Sequence, residues 1–294
     1  RLLRPPPVAT MSLIAQLPSF APETQVVGDA MLQYRRARTP GAGDAVTHVL
    51  LHGIGSASGS WLAQLQQARD AQAPASHVLA WDAPGYGAST ALPMDTPVAA
   101  DYARRLWQWL DALGAQTAGP LTLVGHSLGA LMAAAATAMA PARVTRLVLL
   151  APAQGYARAD AAERERKLAD RLANLAALGP AGMAQKRASA MLSGNASAEQ
   201  VAFVGHVMAQ IHPAGYTQAA RMLAGGDLLG DLQRLHCPVL VASGSADTIT
   251  PAAGCERLAA QVGAPYVSLG PVGHSCALEA AEQVHRLLGL KETA

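Results

Sequence analysis

Short, continuous apolar runs recur along the chain at Thr47–Leu51, His77–Trp81, Leu121–Val124, Arg146–Leu150, Pro238–Ala242 and Tyr266–Leu269. Each carries Val or Leu and gives way within two residues to Gly, Pro, Asp or Ser. Runs that are apolar throughout and bounded by turn residues predict strands covered on both faces, as in a parallel sheet. The alternating stretch Glu23 to Arg38 adds a leading antiparallel hairpin, which brings the expected sheet to eight strands. Between the strands the pattern turns helical. Thr96 before Pro97 predicts a helix start, with Pro where no amide partner is needed. Val98, Tyr102, Leu106, Trp109 and Leu113 then give one apolar face, and the aromatic residues there read as core. Leu128, Met132, Ala135 and Met139 predict a second such stripe. The alternation implies an α/β fold with a doubly wound, mostly parallel sheet.

One interval breaks this rhythm. Between Ala153 and Leu235 the patterning is helical, with no convincing strand. A structureless loop of that length is implausible in a compact domain, so residues 153–235 are expected to form an inserted helical cap. The core is then assigned to 23–152 and 236–294. Residues 1–22, with Pro5, Pro6 and Pro7 against any early helix, are expected to be a poorly ordered leader rather than a signal peptide.

Composition narrows the partners. Of 294 residues 64 are Ala, so an apolar content of 51 % overstates the stickiness of the surface. The longest apolar run, Ala130 to Ala140, contains Thr137 and falls well short of the roughly 18 residues of a membrane span, so no membrane partner is expected. A net charge of +2, without a concentrated basic patch, gives no footprint for nucleic acid. Three cysteines, Cys237, Cys255 and Cys276, make no disulfide framework and fit a reducing, cytoplasmic compartment. There is no metal-ligand cluster or dinucleotide fingerprint, and no cofactor is expected.

The chemistry centres on Gly125-His126-Ser127-Leu128-Gly129, a G-x-S-x-G pattern between a predicted strand and a predicted helix. A turn of this kind lifts the Ser127 hydroxyl above the sheet, with glycines where a sharp elbow needs small residues. Serine needs a base, and this type of elbow takes its partners in the order Ser, acid, His. His274, in Gly270-Pro271-Val272-Gly273-His274 after the last strand, is the expected base, and His285 reads as a structural residue of the terminal helix. Nine carboxylates lie between Ser127 and His274, most of them in the helical insert. Asp247 alone follows a strand end, where parallel sheets gather functional groups, and it is the expected acid. Thr250 before Pro251 is expected to cap the next helix. The amides of Ile54, in His52-Gly53-Ile54-Gly55, and of Leu128 are the expected oxyanion donors. His52 and His126 read as structural members of these turns, and so does the turn Asp82 to Gly87.

Together these residues resemble the α/β-hydrolase superfamily from Val26 onward. The resemblance rests on the HGxG turn at His52–Gly55, the D-x-P-G-x-G-x-S stretch at Asp82–Ser89, the elbow at Gly125–Gly129, Asp247, and Gly273–His274. It implies an eight-stranded sheet with a cap after the sixth strand. The chain looks most like capped bacterial esterases, enol-lactonases and carbon–carbon bond hydrolases. Epoxide hydrolases and haloalkane dehalogenases carry Asp where this chain has Ser127. Cys276 departs from the usual Pro of that segment and reads as a packed small residue.

The expected function is hydrolysis of a carboxylic ester or lactone of a small to medium, partly apolar substrate, through an acyl-enzyme on Ser127. The alternatives are a carbon–carbon bond hydrolase or enol-lactonase and, more remotely, a non-catalytic ligand-binding protein, against which the complete triad speaks. Met183, Met191, Phe203, Met208, Ile211, Tyr216 and Met222 are candidates for a substrate pocket, and Arg187 or Arg221 for a substrate carboxylate.

Overall fold

A computed structural model describes residues 11–292. The strands are β1 (Glu23–Val27), β2 (Ala30–Arg38), β3 (His48–Leu51), β4 (His77–Trp81), β5 (Leu121–His126), β6 (Val144–Leu150), β7 (Val239–Ser243) and β8 (Tyr266–Ser268). They form one sheet in the order β1-β2-β4-β3-β5-β6-β7-β8. The β1–β2 and β2–β4 pairs are antiparallel and the other pairs parallel. The expected hairpin and six later strands are therefore all present, each within two residues of its predicted ends.

Successive side chains of a strand point to opposite faces, so a run that is apolar throughout feeds two cores. Val49 and Leu51 of β3 and Leu147 and Leu149 of β6 enter the larger core. Leu50, Val148 and Leu150 enter the other. The larger core is covered by α3 (Ala99–Ala112) and α4 (Gly129–Met139), the smaller by α2 (Leu62–Asp70), the short α10 (Cys276–Glu279) and α11 (Ala281–Leu288).

Two helical expectations need correction. Helix α3 begins at Ala99 and not at Thr96, because Val98 is extended and its amide is taken by the Asp101 carboxylate at 2.9 Å. Val98 is consequently exposed. Helix α4 carries no stripe: residues 129–137 are buried on every side and Met139 is exposed. Its alanines let sheet and helices approach from all directions.

Among the described residues no strand lies between β6 and β7. That interval holds α5 (Ala161–Arg187), α6 (Ala198–Met208), α7 (Pro213–Gly225) and α8 (Leu228–Leu232), and α9 (Ala252–Val262) follows β7. Leu175, Met183, Ile211, Tyr216 and Leu228 of this interval pack into the same core as α3 and α4. Helix α5 is broken at Gly179 (φ 61°), which Pro180 follows.

The expected leader is corrected over its second half. Leu13–Gln16 forms a helical turn (α1) with Ser12 as N-cap, Leu17–Phe20 forms a 3₁₀ turn, and Leu17 and Phe20 are buried. Burying these two side chains is what orders the segment. Residues 1–10 of that expectation lie outside the described residues. No helix of the described residues is long and apolar enough to cross a membrane.

Candidate active site

The parallel strands end at one edge of the sheet, and the candidate residues sit on the loops there. Gly125 of β5 stands opposite Leu51 of β3 and Leu149 of β6. Ser127 follows with φ 52°, one of two described non-glycine residues at positive φ. The turn is held because the Ser127 amide donates to Leu150 O (3.0 Å), while its carbonyl accepts from Ala130 N and Ala153 N. The elbow glycines are required by close backbone approach. A Cβ on Gly125 would lie 2.5 Å from Gly129 O, and one on Gly129 would collide with the carbonyl of Leu51. The strain at Ser127 is thus fixed by its surroundings, as at many functional sites.

His274 and Asp247 are brought together from loops after β8 and β7. Nδ1 of His274 donates to Asp247 Oδ2 at 2.8 Å, and the two side chains are 5 % and 0 % exposed. Oδ1 of Asp247 accepts from the amides of Ile249 (2.7 Å) and Thr250 (3.0 Å), and Oδ2 also accepts from Thr250 Oγ1 (2.8 Å). Burial pushes the Asp247 carboxyl up, but the hydrogen bond and charge of His274 and the bonds from Thr250 outweigh it. The net position is below the ordinary value. Thr250 therefore does not cap α9, whose N-cap Pro251 has no side-chain bond. Its hydroxyl lies 2.8 Å from Asp247 Oδ2, 3.1 Å from His274 Nδ1 and 3.0 Å from the carbonyl of Ala151. Ala151 is the other residue at positive φ. Nothing in the sequence marked Thr250 as part of this cluster.

Ser127 and His274 line one cavity of about 290 Å³, at the small end of small-molecule sites, without a direct hydrogen bond between them. Such bonds are commonly loose before substrate binds. Ile54 and Leu128 line the same cavity, and among the described residues neither amide donates a hydrogen bond within the protein. The loop carrying Ile54 is braced from below. His52 Nδ1 donates to Gly53 O (2.8 Å), Nε2 accepts from Ala83 N (3.0 Å), and Tyr86 Oη donates to Ile54 O (2.7 Å). Asp82 holds Ser58 through both its amide and its hydroxyl.

His126 does more than fill space. Its Nε2 donates to the carbonyl of His274 at 2.8 Å, and the two rings lie 4.8 Å apart. Burial and the adjacent His274 push its pKa down to about 3. The folded value lies below the roughly 6.5 of an unfolded chain. The unfolded state therefore takes up the extra proton, and stability falls as pH drops from about 6.5 toward 3, by up to about 1.4 kcal/mol per pH unit for this group. The His126→Gln variant, whose side-chain amide can still donate to His274 O, is expected to show a shallower decline of urea midpoint between pH 7.5 and pH 4.5. Equal slopes would contradict this.

Of the expected pocket residues, Met183, Met191, Phe203, Met208 and Tyr216 line the cavity, with Arg187. Ile211, Met222 and Arg221 do not. Ile211 and Met222 are buried in the core, and Arg221 donates to Asp95 O at 2.7 Å. Sequence reasoning missed Trp61, Tyr156, Arg171, Val204, Val207 and Leu223, which also line it. It also missed Glu279, which accepts from the amides of Gly273 (2.8 Å) and Ser193 (3.1 Å) and so ties the segment around Ser193 to the His274 loop. His285 lies outside the cavity lining, buried on α11. The Cys276 thiol is fully buried, which pushes its pKa up, so it is a packed thiol. Among the described residues no group of three or more His, Cys, Asp or Glu is placed to hold a metal ion.

Comparison with known proteins bears on the family and the fold. Residues 49–287 match the model of the alpha/beta hydrolase family. The (E)-2-((N-methylformamido)methylene)succinate hydrolase of Acinetobacter baylyi is 27 % identical over 210 residues, covering 70 % of this chain and 74 % of that protein. Among solved structures, a thermophilic esterase from Thermogutta terrifontis is similar with a TM-score of 0.75 at 22 % identity, over 92 % of this chain and 96 % of that one. The enol-lactonase from Burkholderia xenovorans LB400 is similar with a TM-score of 0.76 at 21 % identity, over 90 % and 98 %. With most of its length matched to the family model, the chain belongs to the alpha/beta hydrolase family and is an enzyme of hydrolase type.

Proposed function

We propose that the protein is a serine hydrolase that cleaves a carboxylic ester or lactone of a small to medium, partly apolar substrate. The observation that carries this reading is the convergence of Ser127, His274 and the unpaired amides of Ile54 and Leu128 on one cavity. Ser127 Oγ attacks the carbonyl carbon while His274 Nε2 takes its proton. The oxyanion that forms accepts hydrogen bonds from the Ile54 and Leu128 amides. Collapse of the intermediate expels the alcohol, which leaves with the proton from His274, and the acyl group stays on Ser127. Water then attacks with His274 again as base, releasing the acid and restoring the serine. Asp247 holds the imidazole with Nε2 free toward the substrate and stabilises the imidazolium.

Helices α5, α6 and α7 supply Arg187, Phe203 and Tyr216 to the cavity wall. In this reading residues 153–235 are the cap that sets specificity. The Acinetobacter and Burkholderia relatives are named for a methylene-succinate amide and an enol-lactone, which supports carbonyl hydrolysis as the shared chemistry. The three unpaired thiols support a reducing, cytoplasmic setting.

A panel of 4-nitrophenyl esters of increasing acyl length tests the reading. The expected result is turnover that peaks at short to medium chains, with a burst of nitrophenol equal to the enzyme present. The ester reading fails if no member is turned over while a lactone or a ring-cleavage dienoate is consumed.

A further inference from the structure

The cavity is electrostatically one-sided. Its lining contains no Asp or Glu, but it contains Arg171 and Arg187, both half-buried. Among the described residues neither takes part in an ion pair, whereas Arg158 is paired with Asp227 and Arg143 with Asp111. Asp247 offers the cavity no counter-charge, since its side chain is fully buried and four donors occupy its oxygens. The lining of the same cavity also includes the apolar Met183, Phe203 and Met208. Unpaired guanidinium groups in a cleft with apolar walls focus a positive potential into it.

The fold goes out of its way to place both. Arg171 and Arg187 lie on α5, 16 residues apart, and a straight helix would separate them by about 24 Å. The break at Gly179–Pro180 turns the second half of the helix so that both side chains reach one cavity of about 290 Å³.

We propose that Arg171 and Arg187 form a carboxylate-binding subsite, so that the substrates are anionic: esters or lactones carrying a free carboxylate beside the carbonyl that is cleaved. This rests on the reading of Ser127 as the nucleophile and adds the substrate class. Guanidinium is suited to the task because its planar donors match a carboxylate two bonds at a time.

The test compares mono-4-nitrophenyl glutarate with 4-nitrophenyl valerate, which share an acyl length and differ in the terminal carboxylate. The wild type is expected to favour the glutarate ester by about 10–100-fold in kcat/KM. The Arg171→Gln/Arg187→Gln double variant is expected to lose that preference, chiefly through a rise in KM for the glutarate ester. Equal use of the two esters by the wild type, or a preference that survives in the double variant, overturns the proposal. A second measurement needs no catalysis: calorimetric titration of the folded Ser127→Ala protein with glutarate and with neutral glutaramide. Saturable binding of glutarate alone, abolished by adding the two arginine substitutions, supports the subsite even if neither ester is cleaved, in which case the nucleophile reading alone has failed. No binding of glutarate, or binding indifferent to the arginines, overturns the subsite whatever the esterase activity.

Discussion

Replacing Ser127 by alanine is expected to lower kcat by about 10⁴–10⁶-fold, the loss seen when a triad nucleophile is removed. The fold should be untouched. Among the described residues the Ser127 hydroxyl makes no hydrogen bond within the protein, and the elbow is held by backbone bonds to Leu150, Ala130 and Ala153. Alanine meets the same positive φ as serine, so the strain at this position is unchanged. Circular dichroism and the thermal midpoint should match the wild type while turnover of a 4-nitrophenyl ester collapses. A folded variant with near-full activity would remove Ser127 from the chemistry.

The second large effect belongs to Asp247→Asn, for which a fall of about 10⁴ in kcat is expected. The reason lies in the two oxygens of Asp247. The variant's Oδ1 can still accept from the amides of Ile249 and Thr250 and preserve the turn. Its Nδ2 then stands where Oδ2 accepted from His274 Nδ1, and it must donate there. The imidazole is forced into the tautomer with its proton on Nε2, which cannot take a proton from Ser127. Asparagine therefore keeps the turn and inverts both hydrogen bonds at that position: Thr250 Oγ1 can rotate to accept, but His274 Nδ1 can accept only by giving up its proton. Kinetics at neutral pH check this as a loss in kcat with a near-wild-type thermal midpoint. A variant that keeps most of its kcat would mean that Asp247 does not set the tautomer.

The parts of this site that could be read from the sequence are those fixed by local chemistry. Ser127 sits in a pattern whose glycines are demanded by backbone contacts, and Asp247 and His274 follow strand ends that the apolar runs located. The strands themselves were legible because burial on both faces leaves short runs dominated by Val and Leu between turn residues. What escaped depends on long-range packing. Thr250 looked like a helix cap, and only the approach of Ala151 from β6 and Asp247 from its own loop shows where its hydroxyl goes. Arg171 lies among many charges on α5, and nothing local in the sequence says that it, rather than its neighbours, borders the cavity. Ile211 and Met222 had the right chemistry for a pocket wall but were drawn into the core instead. The start of α3 shifted by a competition of caps, with Asp101 reaching back to Val98.

The proposed chemistry stands or falls on Ser127 as an activated nucleophile. Exposure of the native protein to a fluorophosphonate, followed by peptide mass spectrometry, tests it directly. Stoichiometric phosphonylation on Ser127 alone is expected, abolished in Ser127→Ala and strongly slowed in His274→Ala. A folded wild-type protein that takes up no label, or carries it on another residue, would contradict it.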